Sequence, residues 1–261
     1  MPGELRIDRP ASGVLRLAIW NPTKRNALDA AILDAITKSL MTLDDVRCVI
    51  LTGHDGIFSS GYDIGEIPEE LFAKEAEKLV AHPFGAALAA LDAADVPTLA
   101  ALGGPAIGGG LELSLGCDVR IAHDQIELGM PPAKLGLVYS HTGLRRFLNA
   151  IGEPRTRELF LLGRYVDAHT ALEWGLVNWV VPARELERAS IELAKQLAAN
   201  APLSIAGNKR VLRELLRSDG ALDADIEREL IALRKASFQT DDMREGVIAF
   251  AEKRPPRWTG R

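Results

Sequence analysis

Gly103-Gly104-Pro105-Ala106-Ile107-Gly108-Gly109-Gly110-Leu111-Glu112-Leu113 follows an apolar run, Val96–Leu102, that reads as a buried strand. A helix begins after the glycines, so the stretch is a strand-to-helix junction. Three successive glycines allow the backbone to approach a ligand closely. The first turn of a helix leaves N–H groups unpaired and carries partial positive charge, so an anion or a developing oxyanion is stabilised there. A tight turn needed only for packing accounts for the same glycines. No Gly-Lys-Ser/Thr follows, as a phosphate-binding loop would require, and the cluster lies too far from the first strand for a dinucleotide-binding turn.

Upstream of this junction, Leu5–Arg9 and Val14–Trp20 read as strands joined by a hairpin at Pro10–Gly13. A helix is expected from Asp29, its N-cap, to Leu43, with Ile32, Leu33, Ile36, Leu40 and Leu43 near helical period. Cys48–Leu51 reads as a buried strand and Glu69–Ala94 as helix with a break at Pro83. Downstream, Val119–Ala122 and Leu176–Val181 read as strands, and Thr142–Ile151, Arg155–Leu162 and Ala168–Trp174 as helices. From Ala183 onward the pattern is almost entirely helical, punctuated by Pro202 and Gly220. Strands alternating with helices and then helices alone imply an α/β core, residues 1–200, with a helical C-terminal region, residues 201–261.

The chain has 261 residues, 47% of them hydrophobic, enough to bury a sizeable core. Its formal net charge of −5 argues against a general nucleic-acid binder. Cys48 and Cys117 sit in apolar runs and read as reduced, buried thiols. The five histidines are scattered, and no spacing suggests a metal site. The N-terminus lacks an apolar signal core, and no apolar run is long enough to span a membrane. A cytoplasmic protein without a membrane or nucleic-acid partner is expected.

Two further segments stand out: Phe58-Ser59-Ser60-Gly61-Tyr62-Asp63-Ile64, and Gly129-Met130-Pro131-Pro132-Ala133-Lys134-Leu135-Gly136-Leu137-Val138-Tyr139. Joined to the glycine cluster, to Asn21–Leu28, to Ala171–Val177 and to the tail, they resemble the crotonase (enoyl-CoA hydratase/isomerase) superfamily over essentially the whole chain. The resemblance implies a spiral of β-β-α units with a helical C-terminal trimerisation region. It implies an oxyanion hole for a thioester oxygen, made by the backbone N–H groups of Tyr62 and Gly109. The Tyr62 ring then serves as pocket wall or as a substrate contact. Glu112, three residues after Gly109, can point back into the same pocket.

Hydratases of this superfamily use a second glutamate, and the matching position here is Pro132, which cannot transfer protons. That departure puts ordinary hydration in doubt. The stretch Met130–Tyr139, Ala201–Ala206 and Glu245–Arg254 resemble the methylmalonyl-CoA decarboxylase branch of the superfamily. Under that reading the Tyr139 hydroxyl orients the departing carboxylate or delivers the final proton, and Glu112 positions Tyr139 or a water. A loop tyrosine packed for structure is the plainer account of Tyr139. The alternatives are an enoyl-CoA hydratase or isomerase using Glu112 alone, and a non-catalytic acyl-CoA-binding subunit.

The resemblance also implies coenzyme A, carried as part of the substrate thioester, with no permanently bound cofactor and no metal. Adenine is expected against the backbone near Lys24-Arg25-Asn26-Ala27 and near Ser60-Gly61-Tyr62-Asp63. Lys24 and Arg25 also suit its phosphates. Ile64, Gly108 and Pro131 complete the candidate binding set on this side. Phe250 and Lys253 resemble positions that reach the nucleotide of a neighbouring subunit, in a homotrimer or hexamer.

Overall fold

The computed structural model describes residues 3–63, 80–218 and 221–261. Its elements in chain order are β1 (Glu4–Ala11), β2 (Val14–Trp20), α1 (Ala30–Met41), β3 (Cys48–Gly53), α2 (Gly85–Ala93), β4 (Thr98–Leu102), β5 (Ala106–Ile107), α3 (Gly109–Leu115), β6 (Val119–His123) and β7 (Glu127–Gly129). There follow α4 (His141–Leu162), β8 (Tyr165–Asp167), α5 (Ala168–Trp174), β9 (Trp179–Val181), α6 (Leu186–Ala198), α7 (Pro202–Arg217), α8 (Ala224–Ser237) and α9 (Asp241–Glu252).

A six-stranded sheet runs in the order β1-β2-β3-β4-β6-β9. Only its first pair is antiparallel; the remaining neighbours are parallel. Its inner strands are covered on both faces, so they read as continuous apolar runs. Successive residues serve two cores. Cys48, Ile50, Leu99 and Ala101 face a smaller cluster with Leu186 and Ala194 of α6, whereas Val49, Leu51, Ala100 and Leu102 join the main core. Both cysteines are buried and unbridged, and burial pushes each thiol up to about 12, which makes them poor nucleophiles at neutral pH.

The second sheet, β5-β7-β8, was not anticipated from the sequence. Its strands have two or three residues each, too short for an alternating pattern to register. It nonetheless organises the molecule. In β4-β5-α3 and β6-β7-α4 the first strand belongs to the large sheet and the second to the small one. Ser59, after β3, makes an isolated parallel bridge to Ala106 and so stands in for the second strand of its own unit. The chain is thus the spiral of β-β-α units that the family resemblance implies.

Local chemistry fixes the element ends. Asp29 caps α1 by accepting from the Ile32 N–H at 2.9 Å. The helices expected at Thr142–Ile151 and Arg155–Leu162 are one continuous stretch kinked at Gly152, whose φ of 73° only glycine adopts readily, and Pro154 opens the second half. Pro83 lies in a π-helical turn, Val80–Phe84, leading into α2; the expected helix before it lies outside the described residues. The strand expected from Leu176 begins only at Trp179. The C-terminal helices are tied to the α/β core through α7. Lys209 Nζ reaches the Val96 carbonyl at 2.8 Å and Asp118 Oδ2 at 2.6 Å, and Arg213 donates to the Asp92 carbonyl at 3.0 Å. Among the described residues no helix is long and apolar enough to cross a membrane.

Candidate active site

The small sheet brings the first two sequence segments together. Ile107 N–H donates to the Ser59 carbonyl at 2.9 Å, and Gly108 N–H to the Gly129 carbonyl at 2.9 Å. Gly61 and Tyr62 therefore run beside Gly108 and Gly109. The fit is tight. A Cβ on Gly61 would come within 2.9 Å of the Ile107 carbonyl oxygen and 3.3 Å of the Gly109 nitrogen. A Cβ on Gly110 would meet the Ser59 carbonyl oxygen at 2.6 Å. The Gly61 backbone also sits at φ +97°, in the region that favours glycine.

Among the hydrogen bonds of the described residues, none is donated by the N–H of Tyr62 or of Gly109. Gly110 and Leu111, the next first-turn residues of α3, likewise donate none, as the start of a helix leads one to expect, whereas the residues on either side of Tyr62 are engaged. Gly61 N–H donates to Ser59 Oγ at 3.2 Å, Asp63 N–H to the Leu28 carbonyl at 3.0 Å, and Glu112 N–H to the Gly108 carbonyl at 3.1 Å. Backbone N–H groups are rarely left without a partner inside a fold, so two such donors side by side mark a place for an external acceptor.

Glu112 lies one turn into α3 and is buried, with 2% of its surface exposed. The Tyr139 hydroxyl donates to its Oε2 at 2.5 Å. Burial raises the carboxyl above its usual range, with the Tyr139 hydrogen bond and then the charge of Arg146 acting in the opposite direction. Burial and the neighbouring Glu112 charge push the Tyr139 phenol well above the ordinary tyrosine value. The Tyr62 hydroxyl stands 3.5 Å from that of Tyr139. The Tyr62 ring lies against Gly109, where an added Cβ would be 2.7 Å from Cε1, and packs edge-on to Phe84 at 4.9 Å. Tyr139 in turn packs on Phe160 at 5.4 Å. Tyr62, Gly109, Glu112 and Tyr139, separated by up to 77 residues in sequence, thus converge.

Gly143 explains how Tyr139 is held. Ser140 caps α4 by accepting from the Gly143 N–H at 3.1 Å, which sets Tyr139 immediately before the helix. A Cβ on Gly143 would lie 2.6 Å from Tyr139 Cε1 and 2.9 Å from Glu112 Oε1, so only glycine lets α4 close on the pair. Pro132 is buried in a short 3-10 turn, and its carbonyl accepts from Leu135 and Leu137.

The candidate binding loops also meet. Leu28 N–H donates to the Gly61 carbonyl at 2.7 Å, Ser60 N–H to the Arg25 carbonyl at 3.1 Å, and Ser60 Oγ to the Lys24 carbonyl at 3.1 Å. Ala27 is buried between these contacts. Lys24 Nζ pairs with Asp63 at 2.9 Å, so its charge already has a protein partner. Asn26, expected from the sequence only as part of the backbone facing adenine, pins the loop with its side chain. Its side chain donates to the carbonyls of His54 and Ile57 and accepts from the Asn21 N–H. Ile64 lies outside the described residues. Pro131 precedes the Pro132 turn and is half-buried. Phe250 and Lys253 are exposed on and just after α9.

Sequence reading also missed Arg146 and Asp92. Both guanidinium Nη atoms of Arg146 meet the Asp92 carboxylate at 3.0 Å. These residues are 54 apart, and nothing local pairs them. Among the described residues, no three His, Cys, Asp or Glu side chains gather as a metal site would require.

The family model for enoyl-CoA hydratase/isomerase matches residues 9–261. A protein of Mycobacterium tuberculosis named as a probable enoyl-CoA hydratase, echA8, is 35% identical over 254 residues, covering 94% of each chain. The carnitinyl-CoA dehydratase of Salmonella typhi is 33% identical over 263 residues, covering 95% of each. The crystal structure of an enoyl-CoA hydratase from Bacillus anthracis superposes with a TM-score of 0.87 at 29% identity, covering 99% of this chain and all of that one.

Proposed function

This chain belongs to the enoyl-CoA hydratase/isomerase family, and on that footing we infer that it is an acyl-CoA lyase working through a thioester enolate held by the N–H groups of Tyr62 and Gly109. The observation that carries this reading is the pair of unengaged N–H groups beside the buried Glu112–Tyr139 hydrogen bond. Negative charge develops on the thioester oxygen as the enolate forms. Donors already in position stabilise it without reorganisation, and removing one such donor typically costs roughly 3–4 kcal/mol in the barrier.

The names of the relatives favour reversible hydration of an enoyl-CoA. Water oxygen bonds to Cβ, the enolate rests in the oxyanion hole, and a proton is then delivered to Cα. With Pro132 in place of a second carboxylate, Glu112 takes the proton from water and returns it, assisted by the Tyr139 hydroxyl. A carboxyl raised by burial suits that exchange. A second reading has a specific observation in its favour. Decarboxylation of a malonyl-type thioester, methylmalonyl-CoA being the first to try, needs no base. The Cα–carboxylate bond breaks, its electron pair enters the enolate, CO2 leaves, and Cα takes a proton. Pro132 and the phenols of Tyr139 and Tyr62 suit this chemistry, with Tyr139 orienting the carboxylate or supplying the proton.

Coenzyme A is proposed to run along the Lys24–Ala27 and Ser60–Asp63 loops. Leu212, Leu215, Leu216, Val247, Ile248 and Phe250 expose apolar surface on α7 and α9. Residues 201–261 are accordingly proposed as the oligomerisation region of a homotrimer or hexamer, in which Phe250 and Lys253 meet a neighbour's nucleotide.

The deciding assay supplies crotonyl-CoA, malonyl-CoA and methylmalonyl-CoA and follows hydrated thioester and CO2 by mass spectrometry. Hydration of crotonyl-CoA without CO2 release supports the first reading, and CO2 release the second. Binding of acyl-CoA without turnover across a wider panel would overturn both in favour of a non-catalytic subunit.

A further inference from the structure

Arg146 is a cation in an unusual position. Its two Nη atoms are both committed to Asp92 at 3.0 Å, on the last turn of α2. Its Nε is buried and has no hydrogen-bond partner. A guanidinium carries five donors, and leaving one buried and unmade costs free energy that packing alone gives no reason to accept. Arg146 follows Gly143 by three residues on α4, so the two share a helix face. Gly143 is where α4 closes on Glu112 Oε1 and Tyr139. The charge of Arg146 is felt at Glu112, and that of Glu112 at Arg146. The other groups on these two residues are Tyr139 and Tyr62 beside Glu112, and Cys117 and Arg120 beside Arg146.

We propose that Arg146, anchored by Asp92 on the face of α4 that closes on Glu112, is a positioning residue that favours the carboxylate form of Glu112, so that the Tyr139 hydroxyl donates to it and stays held in place. Asp92 is the anchor because its bidentate grip fixes the guanidinium plane. The carboxylate of Asp92, joined by the charges of Glu112 and Cys117, outweighs the burial that would otherwise disfavour the Arg146 charge. Without the cation, the burial that raises the Glu112 carboxyl would be opposed by the Tyr139 hydrogen bond alone. A protonated Glu112 offers the Tyr139 hydroxyl a poorer acceptor. The role assigned to Glu112 rests on the enolate reading above, but its ionisation can be measured without any substrate.

The variants are R146M, D92N/R146M and R146K. The double variant removes the pair together, so no orphaned Asp92 carboxylate is left to unfold the protein. R146K keeps the charge. The carboxylate infrared band of Glu112, isolated as the difference from E112Q in the same background, is titrated in the resting protein. In parallel kcat is followed against pH with whichever thioester the panel identifies. The proposal expects the band midpoint to move to higher pH in D92N/R146M and R146M and to stay near the parent value in R146K. The acid limb of kcat should follow it, giving a loss of about tenfold or more at acid pH that narrows as pH rises. An unmoved midpoint in the double variant would overturn the proposal, as would a rate loss equal at every pH. If no thioester turns over, the infrared titration still decides the Arg146 assignment, while the enolate reading fails separately.

Discussion

Glu112 and Glu245 carry the same side chain and have been driven in opposite directions. Glu245 lies on α9, where Arg254 grips both its oxygens at 2.6 and 3.0 Å and the Arg257 N–H donates at 2.6 Å. Those bonds, made at a partly exposed site, hold its carboxyl down at about 2. Glu112 is buried, meets one phenol, and has no direct hydrogen bond to Arg146, whose charge acts on it. Its carboxyl is raised. A carboxylate surrounded by donors in water's reach is locked as an anion and serves structure. One withdrawn from water and under-provided with donors holds its proton more tightly than an ordinary glutamate, which is the direction acid–base work requires.

The sharpest way to break this contrast is Glu112→Gln. Turnover should fall roughly 10²- to 10⁴-fold. Stability should respond in the opposite sense. Because the folded-state carboxyl is raised, its contribution is fully present below the ordinary glutamate range and is lost as pH rises through the folded value. The variant should therefore melt higher than the parent at neutral pH, and the gap should close on acidification. A calorimetric pH series checks both limbs, and a lower melting temperature at neutral pH would contradict the burial argument.

Next in size is Gly109→Pro. Gly109 is the first residue of α3, a position where proline is tolerated, so the substitution chiefly deletes the N–H. The Tyr62 ring must yield to the added carbons. Turnover should drop roughly 10²- to 10³-fold with substrate binding less affected, as steady-state kinetics would report. Unchanged kcat would remove Gly109 from the oxyanion hole. Tyr139→Phe should cost about 1.5–3 kcal/mol, the usual worth of a hydrogen bond to a charged group, read as kcat/KM. It should also shift the acid limb of the rate profile upward, since Glu112 loses a donor that favours its charge.

Arg254→Met should have the smallest effect. Glu245 is depressed, so its contribution is present above the ordinary glutamate range and lost as pH falls towards about 2. The variant should melt slightly lower than the parent at neutral pH, with the difference fading in acid. A difference that persisted or grew in acid would show that lost packing, rather than lost charge, is responsible.

How legible these features were depended on how local they are. The Gly61 and Gly108–Gly110 positions could be read because close approach and positive φ leave few residue types available. Glu112 could be read as a first-turn carboxylate of the helix after them. The continuous apolar runs of β3 and β4 announced buried strands, though not that odd and even positions serve different cores. The two- and three-residue strands of the small sheet were invisible, because pairing rather than pattern makes them strands. Gly152 was read as a gap between helices because a kink and a loop leave the same mark in sequence.

What the chain's order of residues settled was the family and the α/β class, and it was enough to nominate the two donors and the carboxylate, since each nomination rests on backbone freedom or on a motif a few residues long. What the tertiary structure decided was the state of that carboxylate. Burial, the Tyr139 hydroxyl and the Arg146–Asp92 pair reach Glu112 from segments far apart in the chain. Ionisation depends on the dielectric and the charges within a few ångströms, and those are brought together only when the strands and helices close around them.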